Sequence, residues 1–144
     1  MGVPAETTAD GRHRLKRNEF EAKPYVRWNA FVDIISEGPE TFLKGRKRAA
    51  ALVFLYESEI QNGGHDQYFS NTEGRFAEET VLALRKLGDE CRAKVLAKAL
   101  EAYRRSPESE DATSDTEFYC CEPELIRILE EHLDQNESLY IEWV

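Results

Sequence analysis

From Ala49 to Tyr56 the chain reads AAALVFLY, an unbroken apolar run inside a longer stretch, about Leu43 to Gln61. Within it Ala49, Leu52, Val53, Tyr56 and Ile60 recur at steps of three and four, and Phe54 and Leu55 widen the stripe. That pattern predicts a helix that buries more than one face, so other helices have to surround it. The run is far shorter than the ~20 residues that cross a bilayer, and no basic-then-apolar leader precedes it. A chain of 144 residues with 41% hydrophobic and 33% charged side chains fits one soluble domain, and the expected compartment is cytoplasmic, with no membrane partner.

The flanking segments repeat the helical theme. Pro24 suits a first turn, and Tyr25, Trp28, Phe31, Val32 and Ile35 continue it to about Ser36, where Gly38 and Pro39 break the pattern. Phe76, Val81, Leu84 and Leu87 mark a further helix, acidic early at Glu78 and Glu79 and basic late at Arg85 and Lys86, as its dipole favours. Gly88 is placed to end it in a left-handed conformation and Asp89 to cap the next, which uses Val95, Leu96, Ala99, Leu100 and Tyr103. Residues 106–115 are polar and without period, and are expected to form a loop. Pro123 then opens a helix through Leu125, Ile126, Ile128, Leu129 and Leu133, and Leu139 to Val144 forms an apolar, aromatic end that can dock on the core. No period-two strand pattern is visible. The expectation is an all-α, single-domain helical bundle of about five to seven helices over residues 24–144, preceded by a mobile arm over residues 1–23.

Three cysteines, Cys91, Cys120 and Cys121, are odd in number and two are adjacent, a poor disulfide framework, so reduced thiols are expected. Their spacing matches neither a redox nor a zinc motif, and no metal or other cofactor is expected. The formal net charge is -9, and its excess lies at one end. From Ser106 onward a single basic residue, Arg127, stands among many acidic ones: Glu108, Glu110, Asp111, Asp115, Glu117, Glu122, Glu124, Glu130, Glu131, Asp134, Glu137 and Glu142. Such a surface repels nucleic acid and attracts basic partners. Conversely, Lys44, Arg46, Lys47 and Arg48 crowd the start of the long apolar helix, where positive charge opposes the dipole.

The segment EIQNGGHDQYFSN, residues 59 to 71, admits two readings. In one it is a structural corner: the helix ends near Gln61, Asn62 and Gly63 take the positive φ of a cap, Gly64 frees the reversal, Tyr68 and Phe69 enter the core, and Gln67 and Asn71 bond backbone groups. In the other, polar groups at a helix end form a ligand site built from Glu57, Glu59, His65, Asp66, Gln67 and Asn71. His65 beside Asp66 suggests a general base, but sequence neighbours point in different directions, and His13 and His132 have no evident partner.

The run from Glu59 through Asn62, Gly63, Gly64, Gln67, Tyr68, Phe69 and Asn71 to Gly74 resembles the signature of a bacterial family of small helical proteins named after a DNA-mimic member. His65 stands where that family usually has an aromatic residue. The resemblance extends from about Trp28 to Tyr103. It implies an all-α domain, a homodimer as one form of assembly, and an acidic surface that imitates the DNA backbone and occupies a basic DNA-binding protein; it carries over no catalytic residue. The resulting expectation is a non-enzymatic protein-binding domain that uses the acidic residues from Glu108 to Asp134. The alternatives are a general interaction or immunity-type inhibitor module, or a small-molecule or hydrolytic site near His65.

Overall fold

The computed structural model describes residues 6–144. Seven α-helices are present among them: α1 (Arg17–Ala22), α2 (Tyr25–Ile35), α3 (Gly45–Thr72), α4 (Ala77–Lys86), α5 (Glu90–Arg105), α6 (Ala112–Cys120) and α7 (Leu125–Gln135). The all-helical expectation holds, and α3 is the centre: Ala50, Ala51, Leu52, Val53 and Tyr56 are essentially solvent-free, enclosed by α2, α4, α6 and α7. No helix among the described residues is long and apolar enough to cross a membrane.

The turn between α4 and α5 forms as its residues dictate. Gly88 adopts φ 91°, and the Asp89 carboxylate accepts a hydrogen bond from the Arg92 amide at 3.0 Å. The Arg92 guanidinium returns 2.8 Å to Asp89 and donates to the carbonyls of Pro123 and Cys121 at 2.7 and 2.9 Å. This buried pair therefore tethers the α6–α7 turn to the start of α5 through both terminal nitrogens of the guanidinium, while Arg92 Nε is buried without a hydrogen-bond partner.

Four expectations change. First, Cys91 and Cys121 form a disulfide, and Cys120 alone is a free, exposed thiol. Parity and adjacency in sequence carry no information about which cysteines the packing of α5 on α6 brings together. The pairing removes the cysteine argument for a reducing compartment.

Second, the arm is built into the fold from Glu6 onward; residues 1–5 of the expected mobile arm lie outside the described residues. Strand β1 (Glu6–Thr7) pairs antiparallel with β2 (His13–Leu15), which runs parallel to β3 (Ile141–Trp143). Strands this short leave no period-two signature, and the pairing is closed by groups remote in sequence: His13 N donates to Tyr140 O at 2.8 Å and Val144 N to Leu15 O at 2.9 Å. Leu15 is buried, and His13 finds Asp33 at 3.3 Å.

Third, the expected loop 106–115 ends early, because Asp111 caps α6 by accepting from Ser114 N at 3.0 Å and Ser114 Oγ at 2.6 Å.

Fourth, α3 does not stop at Gln61. It runs on to Thr72 through a break at Gly63 (φ −173°, ψ 16°) and Gly64 (φ 76°, ψ −168°). Positive φ belongs to Gly64 and not, as expected, to Asn62 or Gly63; Asn62 stays helical, and the extended φ of Gly63 is one that any residue can adopt. A Cβ on Gly64 would also overlap the Asp115 carboxylate, whereas one on Gly63 would displace the Gln67 side chain.

Gly64→Ala is therefore expected to lower unfolding free energy by about 2 kcal/mol or more, and Gly63→Ala by clearly less, in urea denaturation. Equal losses would contradict this assignment of strain. Reducing Cys91–Cys121, which spans 30 residues of sequence, is expected to cost about 3 to 4 kcal/mol by loop entropy; calorimetry with and without a dithiol reductant measures it.

Candidate functional site

The glycine break frees the first backbone N–H groups of the resumed helix, and one of them is met by a residue far along the chain. Asp115 of α6 accepts from His65 N at 2.8 Å and lies 2.7 Å from His65 Nδ1. A carboxylate at a helix start both satisfies an orphan donor and opposes the positive dipole end. The bond to the carboxylate places the imidazole proton on Nδ1, so His65 Nε2 accepts from the Tyr56 hydroxyl at 2.6 Å. Tyr56, His65 and Phe118 sit edge-to-face around this line.

The remaining residues of the signature serve the same bend. Asn71 Nδ2 donates to Glu59 Oε2 at 2.7 Å, a staple between the two halves of α3. Tyr68 and Phe69 are buried, and Phe69 stacks on Tyr103 with centroids 4.5 Å apart. Gly74, at φ 74°, lets the chain pass against Tyr103, whose ring would meet a Cβ there at 3.3 Å. Gln67 covers Gly63. Asn62 is exposed. The structural-corner reading accounts for these contacts, but the backbone bonds expected of Gln67 and Asn71 do not form: Asn71 bonds Glu59 instead, and the Gln67 side chain packs over Gly63.

Burial drives the titration behaviour. Burial pushes His65 below its ordinary range, and the neighbouring Asp115 carboxylate opposes without reversing this, so the imidazole is neutral. His65 is fully enclosed and cannot meet a substrate. Burial also raises Tyr56, lifts Tyr68 to about 12, and raises Glu57, one of whose oxygens accepts from Gln61 at 3.0 Å. His132, also buried, is lowered to about 4 by burial and by nearby Arg46; its Nε2 lies 2.7 Å from the Tyr140 hydroxyl. Among the described residues no three His, Cys, Asp or Glu side chains are grouped to hold a metal ion.

The bend also positions an acidic cleft of about 520 Å³ between the resumed half of α3, the end of α5 and the loop before α6. Asp66 and Glu73 line one side; Glu108, Glu110 and Asp111 line the other, and no basic residue takes part. Asp66 Oδ1 accepts from Asp111 N at 3.2 Å, pinning the loop to the signature segment.

Other acidic residues expected to act together are dispersed into structural pairs. Asp115 holds His65, Glu117 pairs with Lys98 at 3.0 Å, Glu130 with Arg127 at 3.6 Å and Asp134 with Arg27 at 2.8 Å. Glu122 and Glu124 are exposed outside the cleft, and Glu131 lines a different groove. Arg27 also binds Glu137 at 2.6 Å, and Glu142 meets Arg14 at 2.8 Å.

Glu73 was not foreseen. It follows α3 in a left-handed conformation, φ 55°, where glycine or asparagine is usual, and it is the only non-glycine with positive φ among the described residues. The signal available in sequence was its place immediately before Gly74 at a helix end.

A family model described as DMP19-like protein matches residues 42–142, most of the chain. The chain belongs to the DMP19-like family. This agrees with the family that the signature around Gly63 and Gly64 resembles. The DMP19-like region begins just before α3 and ends within β3, so it contains the bend, the disulfide and the acidic cleft, and leaves α1, α2, β1 and β2 outside. No curated protein and no solved structure matches the chain.

His65 and His132 remain neutral in the folded state at pH values where the unfolded chain takes up protons, so acidification favours unfolding. For His132 the contribution is intact above about pH 6.5 and is lost progressively as pH falls towards about 4. Melting temperature is expected to fall across that window, and more shallowly in His132→Gln; an unaltered slope in the variant would contradict the assignment.

Proposed function

We propose that this DMP19-like chain is a non-catalytic binding domain that occupies a basic DNA-binding protein, with the acidic cleft standing in for a phosphate-lined groove. The observation that carries this reading is the cleft itself: five carboxylates, from Asp66, Glu73, Glu108, Glu110 and Asp111, converge with no cation among the lining residues. Duplex DNA presents about one charge per 1.7 Å of axis, and proteins that bind it do so by neutralising such charges with lysine and arginine. A groove walled by carboxylates offers the same attraction. Family membership supports the same direction, because the DMP19-like family is of DNA-mimic type. The proposed setting is the cytoplasm, as a monomer or homodimer, with no direct contact to nucleic acid.

Glu73 adds a physical argument. A left-handed conformation costs a non-glycine residue about 1 kcal/mol, and glycine would remove that cost. A carboxylate held there against backbone preference, at the edge of the cleft, fits a residue kept for binding.

The internal pairing of Glu117, Glu130 and Asp134 favours a second reading, a general acidic interaction or inhibitor module without duplex-like charge spacing. Competition separates the two. A DNA-binding protein bound at the cleft is expected to be displaced by duplex DNA and to bind less tightly as salt rises; binding indifferent to DNA supports the general module.

Glu73→Gly is expected to raise stability by about 1 kcal/mol while weakening the partner, and Glu108→Gln with Glu110→Gln to weaken the partner at unchanged stability. Partner affinity that ignores all three substitutions would rule out the cleft as the contact.

A further inference from the structure

The basic start of α3 is not explained by an acidic binding surface. Positive side chains in a first turn oppose the helix dipole, and Lys44, at the N-cap, provides no side-chain hydrogen bond. Arg48 has a structural use: its guanidinium binds the Glu79 carboxylate at 2.7 Å and the carbonyls of Pro39 and Phe42. Arg46 differs. It donates to the neutral Asn136 Oδ1 at 2.8 Å and has no carboxylate in ion-pair contact among the described residues.

Arg46 lines this second groove, an open cavity of about 580 Å³ bounded by the start of α3, the end of α4 and α7. Ala49, Leu87 and Ile128 supply an apolar floor. Lys86, His132, Gln135 and Asn136 supply polar walls, and Glu131 is the one carboxylate. The walls are held in place before any ligand arrives. His132, only 7% exposed, lies against the Tyr140 hydroxyl, and Asn136 Nδ2 donates to the His132 carbonyl at 2.9 Å while its Oδ1 accepts from Arg46. Volume, an apolar floor and a few fixed polar groups are the ordinary properties of a small-molecule site, whose range is about 300–1,000 Å³.

We propose that this cavity binds a small organic anion, an anionic head carried on an apolar body, with Arg46 and Lys86 receiving the head. A molecule of net charge -9 repels anions at long range, so an anion site on it needs local cations, and here two meet one carboxylate. A guanidinium already oriented by Asn136 loses less freedom when it engages a carboxylate or phosphate. The same requirement gives Arg46 a use where the helix dipole disfavours a cation. The site is separate from the acidic cleft and does not depend on its role.

Titration of the full 15N-labelled chain with phenyl phosphate and with benzoate, followed by amide chemical shifts, tests it. Saturable shifts are expected at Gly45, Gly88 and Asn136 with at least one of the two probes, tighter than with inorganic phosphate and absent with phenol. Arg46→Gln combined with Lys86→Gln is expected to weaken binding at least about tenfold, and Lys94→Gln, on α5, to leave it unchanged. Arg46 and Lys86 are exposed, so the double variant should melt like the parent. The proposal is overturned by an absence of saturable shifts with both probes, by equal weakening in Lys94→Gln, or by a double variant that binds as the parent does.

Discussion

The structure depends on one carboxylate meeting one helix start. Without Asp115, the break at Gly63 and Gly64 would leave the amide and imidazole of the fully buried His65 without their shared acceptor, an arrangement that costs more than the hydrogen bonds would return. With Asp115 in place, a long helix can bend and keep both halves buried. Tyr56 before the bend, His65 after it and Phe118 on α6 then share a single aromatic cluster. The position of α6 follows from the bend, and with it the disulfide partner Cys121 at its end and the acidic loop at its start.

That dependence separates two uses of negative charge which look alike in sequence. Asp115, Asp89 and Asp111 complete helix starts, and Asp89 also shares a buried ion pair with Arg92. Glu117, Asp134 and Glu142 are neutralised on the surface by Lys98, Arg27 and Arg14. What remains for association is the set gathered at the cleft, where Glu108 and Glu110 join Asp66 and Glu73 from the bent helix. The anionic third of the chain is thus partly scaffold, and its outward charge is more local than the composition suggests.

Local rules read from residues were sufficient for much of this fold. The apolar stripe of α3, the Pro24 start of α2, and the Gly88–Asp89 turn all formed because each is decided within a few residues by periodicity, capping or backbone freedom. Features fixed by distant partners were not legible. The Cys91–Cys121 bond, the β2–β3 pairing and the Asp115–His65 contact each join segments that sequence spacing cannot place together. The site was half legible for the same reason. Glycines, amides and aromatics marked a corner, but the identity of the positive-φ residue shifted by one, and Glu73 gained meaning only from its backbone angle in the fold.

The protonation of His65 tests the central claim most directly. Long-range 1H–15N correlation of its side chain at neutral pH is predicted to show a neutral ring protonated on Nδ1, with a slowly exchanging proton held by Asp115. An imidazolium, or a ring protonated on Nε2, would mean that Asp115 and Tyr56 do not hold the bend in the way described.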